Sequence, residues 1–281
     1  MNVGDYRVDF PLDGYFRLDG GAMFGVIPRP LWSPVAEPDD RNRIRLAARP
    51  MLLRNGDYTV LVDTGIGGRW NEKERNIYDI QRDGHGIVSS LRDLGVEPEE
   101  VTDVFLTHLH FDHAGATTYR DDRDRLRLRF PEATHHLQRA HWSWASAPTE
   151  RDAGSFRPED FSLLDTNDQL NLVEGRTCVF PGVEGIRVDG HTRGLQMVRV
   201  KGDPDLYYVT DLIPTAAHLP LPYVMGYDLW PLETLEQKKS LYENITFGET
   251  LLAFEHDPDR VVCTVQKGEK HHEVHDVLTG A

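Results

Sequence analysis

Cysteine is nearly absent: the chain of 281 residues holds two, Cys178 and Cys263, too few for a disulfide scaffold of that size. A reducing compartment fits that scarcity. No run of 18 apolar residues occurs, so no segment reads as a membrane-spanning helix. The opening Met1-Asn2-Val3-Gly4-Asp5-Tyr6 lacks a basic region followed by an apolar run, and with no secretory signal to read there a cytoplasmic location is expected. Basic residues are in short supply as well, 31 Lys and Arg against 46 Asp and Glu, for a formal charge of -15. A surface so acidic repels nucleic-acid phosphates and anionic lipid, so neither a nucleic-acid nor a membrane partner is expected. Repeats, low-complexity tracts and Gly/Ser linkers are missing too, which predicts a single domain over residues 1–281.

What is present is an ordinary globular composition, 39% hydrophobic, with a clear order of elements. Residues 50–54 and 58–62 are apolar runs flanking Asn55-Gly56-Asp57, a hairpin whose turn would draw on left-handed backbone at Asn55 and Gly56. Ile87, Val88, Leu91 and Leu94 recur at helical spacing before Gly95, a residue suited to a left-handed C-cap. Residues 101–107 read as a strand. A second hairpin pairs Val198 and Val200 with Tyr207, Tyr208 and Val209 across the turn Gly202-Asp203-Pro204-Asp205. A charged helix from Leu232 to about Phe247 precedes the strand Leu251-Leu252-Ala253-Phe254. Strand pairs interleaved with helices imply an α/β sandwich with sheets inside and helices outside.

The segment that carries chemistry is Thr107-His108-Leu109-His110-Phe111-Asp112-His113-Ala114-Gly115-Ala116, with four metal-ligating side chains in six residues directly after a strand. In an extended backbone His108 and His110 point the same way, and Asp112 and His113 turn toward a neighbouring point. One loop can therefore feed two adjacent metal sites. Imidazole with carboxylate and no thiolate matches a catalytic site rather than a closed structural zinc site. The other histidines carry no such pattern. His135, His136 and His141 precede Trp142-Ser143-Trp144 without a neighbouring carboxylate in the sequence and read as packing or surface residues. His85 reads as a helix start, and His271, His272 and His275 as a solvated tail.

His108-Leu109-His110-Phe111-Asp112-His113 resembles the signature loop of the metallo-β-lactamase superfamily, and its companions follow in the family's order. Asp63 in Val62-Asp63-Thr64-Gly65 is similar to the early Asp-Thr-Gly strand end, His191 in Gly190-His191-Thr192 to the next histidine, Asp211 to the bridging aspartate and His256 to the last histidine. The resemblance implies a four-layered αββα sandwich. It also implies two divalent metal ions, with zinc first and iron, manganese, cobalt or nickel as alternatives. His108, His110 and His191 would hold one ion, Asp112, His113 and His256 the other, and Asp211 would bridge them. Asp63 would orient ligands rather than bind. Such a pair of ions acidifies a shared water and polarises a substrate oxygen, and Asp112 and Asp211 become the catalytic acids, Asp112 as plain ligand or as proton shuttle to the leaving alkoxide.

Within that superfamily the pattern is similar to N-acyl homoserine lactonases and to organophosphate hydrolases, so the expected substrate is a small, largely apolar ester, a lactone first and a phosphotriester second. A metal-binding sensor or scaffold without catalysis is the alternative outside enzymes. Those lactonases commonly place a tyrosine three positions after the bridging aspartate, where this chain has Pro214. Tyr223, Tyr227 and His218 are the candidates to replace it. Residues 22–32 and 219–230, rich in aromatics, Met, Gly and Pro, read as apolar loops that either line the pocket, through Phe24 and Trp32 as well, or join two copies of the chain in a homodimer.

Overall fold

The computed structural model describes residues 1–278 apart from Asp83 and Asn167. Residues 2–173 supply β1 (Asn2–Val3), β2 (Tyr6–Asp9), β3 (Gly14–Asp19), β4 (Arg43–Ala48), β5 (Met51–Arg54), β6 (Thr59–Val62), β7 (Asp103–Phe105), β8 (Thr118–Arg120), β9 (Leu126–Leu128), β10 (Thr134–Gln138) and β11 (Leu170–Val173). Seven of them form one sheet in the order β1-β2-β5-β6-β7-β10-β11, while β3-β4 and β8-β9 are separate hairpins. A second seven-stranded sheet then runs in chain order through β12 (Arg176–Phe180), β13 (Val183–Arg187), β14 (Gln196–Val200), β15 (Leu206–Tyr208), β16 (Leu251–Ala253), β17 (Val262–Lys267) and β18 (His272–Val277).

Adjacent residues of the central strands enter different cores. Leu53, Val60, Val62 and Phe105 face inward and meet Val198, Val200, Tyr208 and Val262 of the other sheet. Their neighbours Leu52, Leu61 and Val104 face outward onto Ile87 and Leu91 of the helix Ile87–Asp93. Met197, Tyr207 and Leu252 do the same on the second sheet, against Leu241 and Tyr242 of the helix Pro231–Asn244. Burial on both faces is why these strands read as continuous apolar runs rather than as alternating ones. The layers are helices, sheet, sheet, helices, the αββα sandwich of the metallo-β-lactamase fold.

Several local readings need correction. The hairpin at Asn55 is present, but its turn closes through the Asn55 side chain, which accepts from Asp57 N (2.9 Å) and Tyr58 N (2.8 Å), and neither Asn55 nor Gly56 is left-handed. The strand read at residues 101–107 is regular only over Asp103–Phe105, with single main-chain bonds continuing at Thr102 and Leu106, and at its C-terminal end Thr107 N binds the Asp63 carboxylate at 2.7 Å. Residues 22–32 are not a plain loop: they fall in two short helices, Gly20–Phe24, capped by Asp19, and Arg29–Trp32. His272 and His275 lie on the edge strand β18, not in a tail, and His272 stacks on Tyr242 at 3.8 Å. No helix among the described residues is long and apolar enough to cross a membrane.

Candidate metal centre and its cavity

Five chain segments end at one edge of the sandwich and deliver the polar cluster there. Asp63 follows β6, residues 107–113 follow β7, His191 lies between β13 and β14, Asp211 follows β15 and His256 follows β16. Asp63 and Thr210 hold left-handed backbone, φ 59° and 42°, which side chains disfavour. Both lie where the chain turns off a strand toward the cluster.

The structure brings all seven sequence-predicted ligands together in two groups: His108, His110, His191 and Asp211 in one, Asp112, His113 and His256 in the other, with the offered atoms of each group within 4.8 Å of one another. Asp211 lies between them. Its Oδ2 is 3.0 Å from His191 Nε2, and its Oδ1 is 3.1 Å from His256 Nε2 and 3.5 Å from His113 Nε2.

A cation fits the donor set, and the outer ring nitrogens show why. His191 Nδ1 meets Asp228 at 2.9 Å, His256 Nδ1 meets Ala47 O at 2.8 Å, and His113 Nδ1 faces Glu255 at 2.8 Å and Asp63 at 3.1 Å. Each imidazole spends its N–H on that outer acceptor, so the inner nitrogens present lone pairs. Those lone pairs converge: His191 Nε2 is 3.1 Å from His110 Nδ1, and His256 Nε2 is 3.0 Å from His113 Nε2. His108 Nε2, His110 Nε2 and Asp211 Oδ1 are buried with no hydrogen-bond partner.

Electrostatics agrees with that geometry. Burial, with neighbouring imidazoles behind it, holds His108 and His110 well below the usual histidine range, neutral as ligands must be. Burial opposes charge on His191 too, but the Asp211 and Asp228 carboxylates outweigh it and raise that imidazole to about 10. Burial raises Glu255 to about 8, against the pull of His113. A cluster that draws positive charge this strongly exchanges protons for metal ions as they bind.

Only one of the supports around the ligands was seen in the sequence. Asp63 accepts from Thr107 N and Oγ1 (2.7 and 2.6 Å), the orienting role expected of it. Glu255 and Asp228 were missed, although Glu255 adjoins His256 and Asp228 is a lone acid in an apolar segment. His141 does more than pack: its Nε2 accepts from Leu109 N at 2.8 Å and pins the histidine loop. His136 does have a carboxylate beside it, Asp103 at 2.8 Å, brought there by β7 pairing with β10.

Above the cluster opens a cavity of about 360 Å³ whose floor includes His110, Asp112, His191, Asp211 and His256. Leu18, Met23, Leu46, Tyr78, Phe111, Met225 and Leu229 give it apolar walls, and Arg151, Asp152, Gly154, Ser155, Gly226 and Tyr227 complete the lining. Of the residues singled out for substrate contact, only Tyr227 lies on it. Phe24 and Trp32, 0% and 1% exposed, stand one layer behind, Phe24 stacked between Trp32 (5.2 Å) and His218 (4.5 Å). His218 has both ring nitrogens engaged, by Thr215 Oγ1 and Met23 O, and Tyr223 meets the edge of Phe24 away from the cavity. The physical reason is size: these rings fill the space beneath the wall formed by Met23 and Met225. Pro214 offers no side-chain donor, and its carbonyl accepts from His256 N at 3.2 Å.

A family model described as the metallo-beta-lactamase superfamily matches residues 46–256. Over 216 residues the chain is 25% identical to N-acyl homoserine lactonase AttM of Azorhizobium caulinodans, an alignment that takes in 73% of this chain and 76% of that protein. A probable metal-dependent hydrolase from Staphylococcus aureus superposes with a TM-score of 0.88 at 27% identity, covering 99% of this chain and 100% of the other. The dizinc quorum-quenching lactonase AidC, solved with a product, superposes with a TM-score of 0.80 over 98% of this chain and 95% of its own, at 19% identity, a likeness of fold.

Proposed function

The chain belongs to the metallo-beta-lactamase superfamily, and from that premise we propose that it is a metal-dependent hydrolase of ester-type bonds whose preferred substrates are lactones with an apolar substituent. One observation carries the reading: two groups of convergent histidine nitrogens, with Asp211 between them, form the floor of an apolar-walled cavity. Two divalent cations bound there would supply an acidified water and polarise the substrate oxygen.

The protein's own groups would do the rest. His108, His110 and His191 would hold one ion and Asp112, His113 and His256 the other, with Asp211 placed between the two groups. Asp63, Glu255 and Asp228 fix the ring tautomers from outside, so that the inner nitrogens stay free of protons. Asp112 lines the cavity as well as belonging to the second group, which suits it to take up the proton released as water adds to the acyl carbon. When the acyl C–O bond breaks, that proton goes to the departing alkoxide and a hydroxy acid is left. Leu18, Leu46, Phe111 and Met225 take the hydrocarbon part of the substrate out of water. Lactonase relatives such as AttM support the lactone reading over the phosphotriester one.

The test is a panel of lactones, aryl esters and phosphotriesters run on protein of measured metal content. Lactones should be cleaved at least tenfold faster, in kcat/KM, than the triesters, by protein holding close to two metal equivalents. Faster triester cleavage would transfer the assignment, and no hydrolysis at full metal loading would leave a binding protein.

A further inference from the structure

A buried tyrosine hydroxyl normally finds an acceptor in its own protein. Tyr6, Tyr208 and Tyr242 obey this rule, donating to the carbonyls of Pro181, Arg49 and Leu219. The buried Tyr207 and the half-buried Tyr78 have no hydrogen-bond partner for the hydroxyl among the described residues, and of these two only Tyr78 lines the cavity.

The ring nevertheless is held firmly. It packs on Phe111 at 5.1 Å and on Trp70 at 5.6 Å, and Trp70 is itself anchored by its indole N–H to Ile66 O at 3.0 Å. Phe111 sits between His110 and Asp112 in the chain, so the same contact that orients Tyr78 ties it to the histidine loop. Its helix, Glu72–Tyr78, starts with a capping box between Asn71 and Glu74 and ends on Asp79, which pairs with Arg17 at 3.0 Å. A side chain fixed this way with an unspent donor is preorganised for something outside the protein.

The cavity has need of such a donor. Asp112 and Asp211 are acceptors and the histidines are committed to the floor, so a hydrogen bond to a substrate carbonyl has to come from a donor on the walls, where the side-chain hydroxyls are those of Tyr78, Ser155 and Tyr227. Arg151 stands at the mouth, exposed, with its guanidinium on Gly226 O at 2.8 Å, and Tyr227 is likewise exposed at the rim. We propose that Tyr78 is a catalytic residue of this site, its phenol donating a hydrogen bond to the acyl oxygen of the bound ester. This rests on the ester-hydrolase reading above. The phenol keeps its proton throughout, and the bond strengthens as charge develops on that oxygen. Burial, and behind it the charge of Asp112, push the phenol above its ordinary value.

The experiment compares the metal-loaded full chain with Tyr78→Phe and with Tyr119→Phe, a distant control whose ring lies under Arg129 at 4.3 Å. On a lactone cleaved by the unaltered protein, Tyr78→Phe should lower kcat roughly 10- to 100-fold with KM changed less than about threefold, at unchanged metal content and Tm. The ring-opened hydroxy acid, titrated calorimetrically, should bind several-fold more weakly to Tyr78→Phe, a readout independent of turnover. Wild-type kcat together with wild-type product affinity in Tyr78→Phe would overturn the proposal. An unaltered protein that cleaves no ester with both metals bound would instead overturn the functional reading beneath it.

Discussion

The loop 107–113 and the segment 218–229 meet at one cavity but are held in place by different means. Charged and polar side chains grip the first: Asp63 takes Thr107 N and Oγ1, Glu255 and Asp63 take His113, and His141 takes Leu109 N. The second is gripped by its main chain. Lys238 Nζ, fully buried, donates to the carbonyls of His218, Pro220 and Tyr223 at 2.7, 2.7 and 3.1 Å, and Tyr242 donates to Leu219 O. Below about pH 7 the three protons of the Lys238 ammonium meet three acceptors. A grip on carbonyls is indifferent to the side chains of the segment, whereas a grip on Thr107 and His113 is not. The histidine loop thus tolerates little change, whereas the second segment depends on side chains only at positions such as His218 and Asp228.

Asp211→Ala breaks the comparison at its centre. With no carboxylate between two cation sites, elemental analysis should fall from about two metals per chain to one or fewer, and kcat/KM on the best substrate should drop by about 10³-fold or more. A variant that kept two metals would remove Asp211 from between them.

Phe24→Ala tests the other side. Because the ring is buried between Trp32 and His218, chemical denaturation should show a loss of about 3–5 kcal/mol. The preference for substrate chain length should persist, while Met225→Ala, a change on the cavity wall, should flatten it. The opposite pattern would return Phe24 to the substrate.

Glu255→Gln should keep the fold yet weaken metal binding roughly 10- to 100-fold in chelator competition, since the second carboxylate on His113 Nδ1 is lost. Equal affinity would make Asp63 sufficient alone.

The smallest effect sharpens the contrast in grip. Burial lowers Lys238 from 10.5 to about 7, with Asp228 the nearby charge that opposes it. Between those values the unfolded chain holds the extra proton, so this lysine's contribution to stability rises with pH across the window and is lost as pH falls through 7. In Lys238→Met that slope, at most about 1.4 kcal/mol per pH unit, should vanish from unfolding curves taken at pH 7 to 10. An unchanged slope would exclude the buried ammonium as its source.

The class of the fold and part of its elements were legible along the chain. The hairpin around Asn55, the helix before Gly95, the pair β14–β15 and the strand leading to His256 all carry local patterns of turn chemistry and apolar spacing. The ligands were legible too, since His108, His110, Asp112 and His113 sit within six residues and a loop that short cannot scatter them. Errors came where a side chain from elsewhere changed the local outcome, as when Asp63 took Thr107 N beyond the end of β7.

By itself, then, the sequence determined the candidate ligands of the histidine loop and the sandwich of sheets and helices, because both follow from short-range spacing and periodicity, while His191, Asp211 and His256 followed only from the resemblance to the family's order. Tertiary structure alone decided which acids stand behind the histidines and which aromatics face the cavity. Glu255 reaches His113 across 142 positions, Asp228 reaches His191 across 37, and Tyr78 meets Phe111 only because the helix after β6 folds over the histidine loop. Phe24 sits in an apolar stretch, Ala22-Met23-Phe24-Gly25-Val26, and Tyr78 at the end of a charged one, Glu72-Lys73-Glu74-Arg75-Asn76, so the neighbours along the chain point to the wrong ring as the one that faces the cavity. What separates them is packing depth: one ring is enclosed on both faces, while the other is held against Phe111 and Trp70 with its hydroxyl unspent.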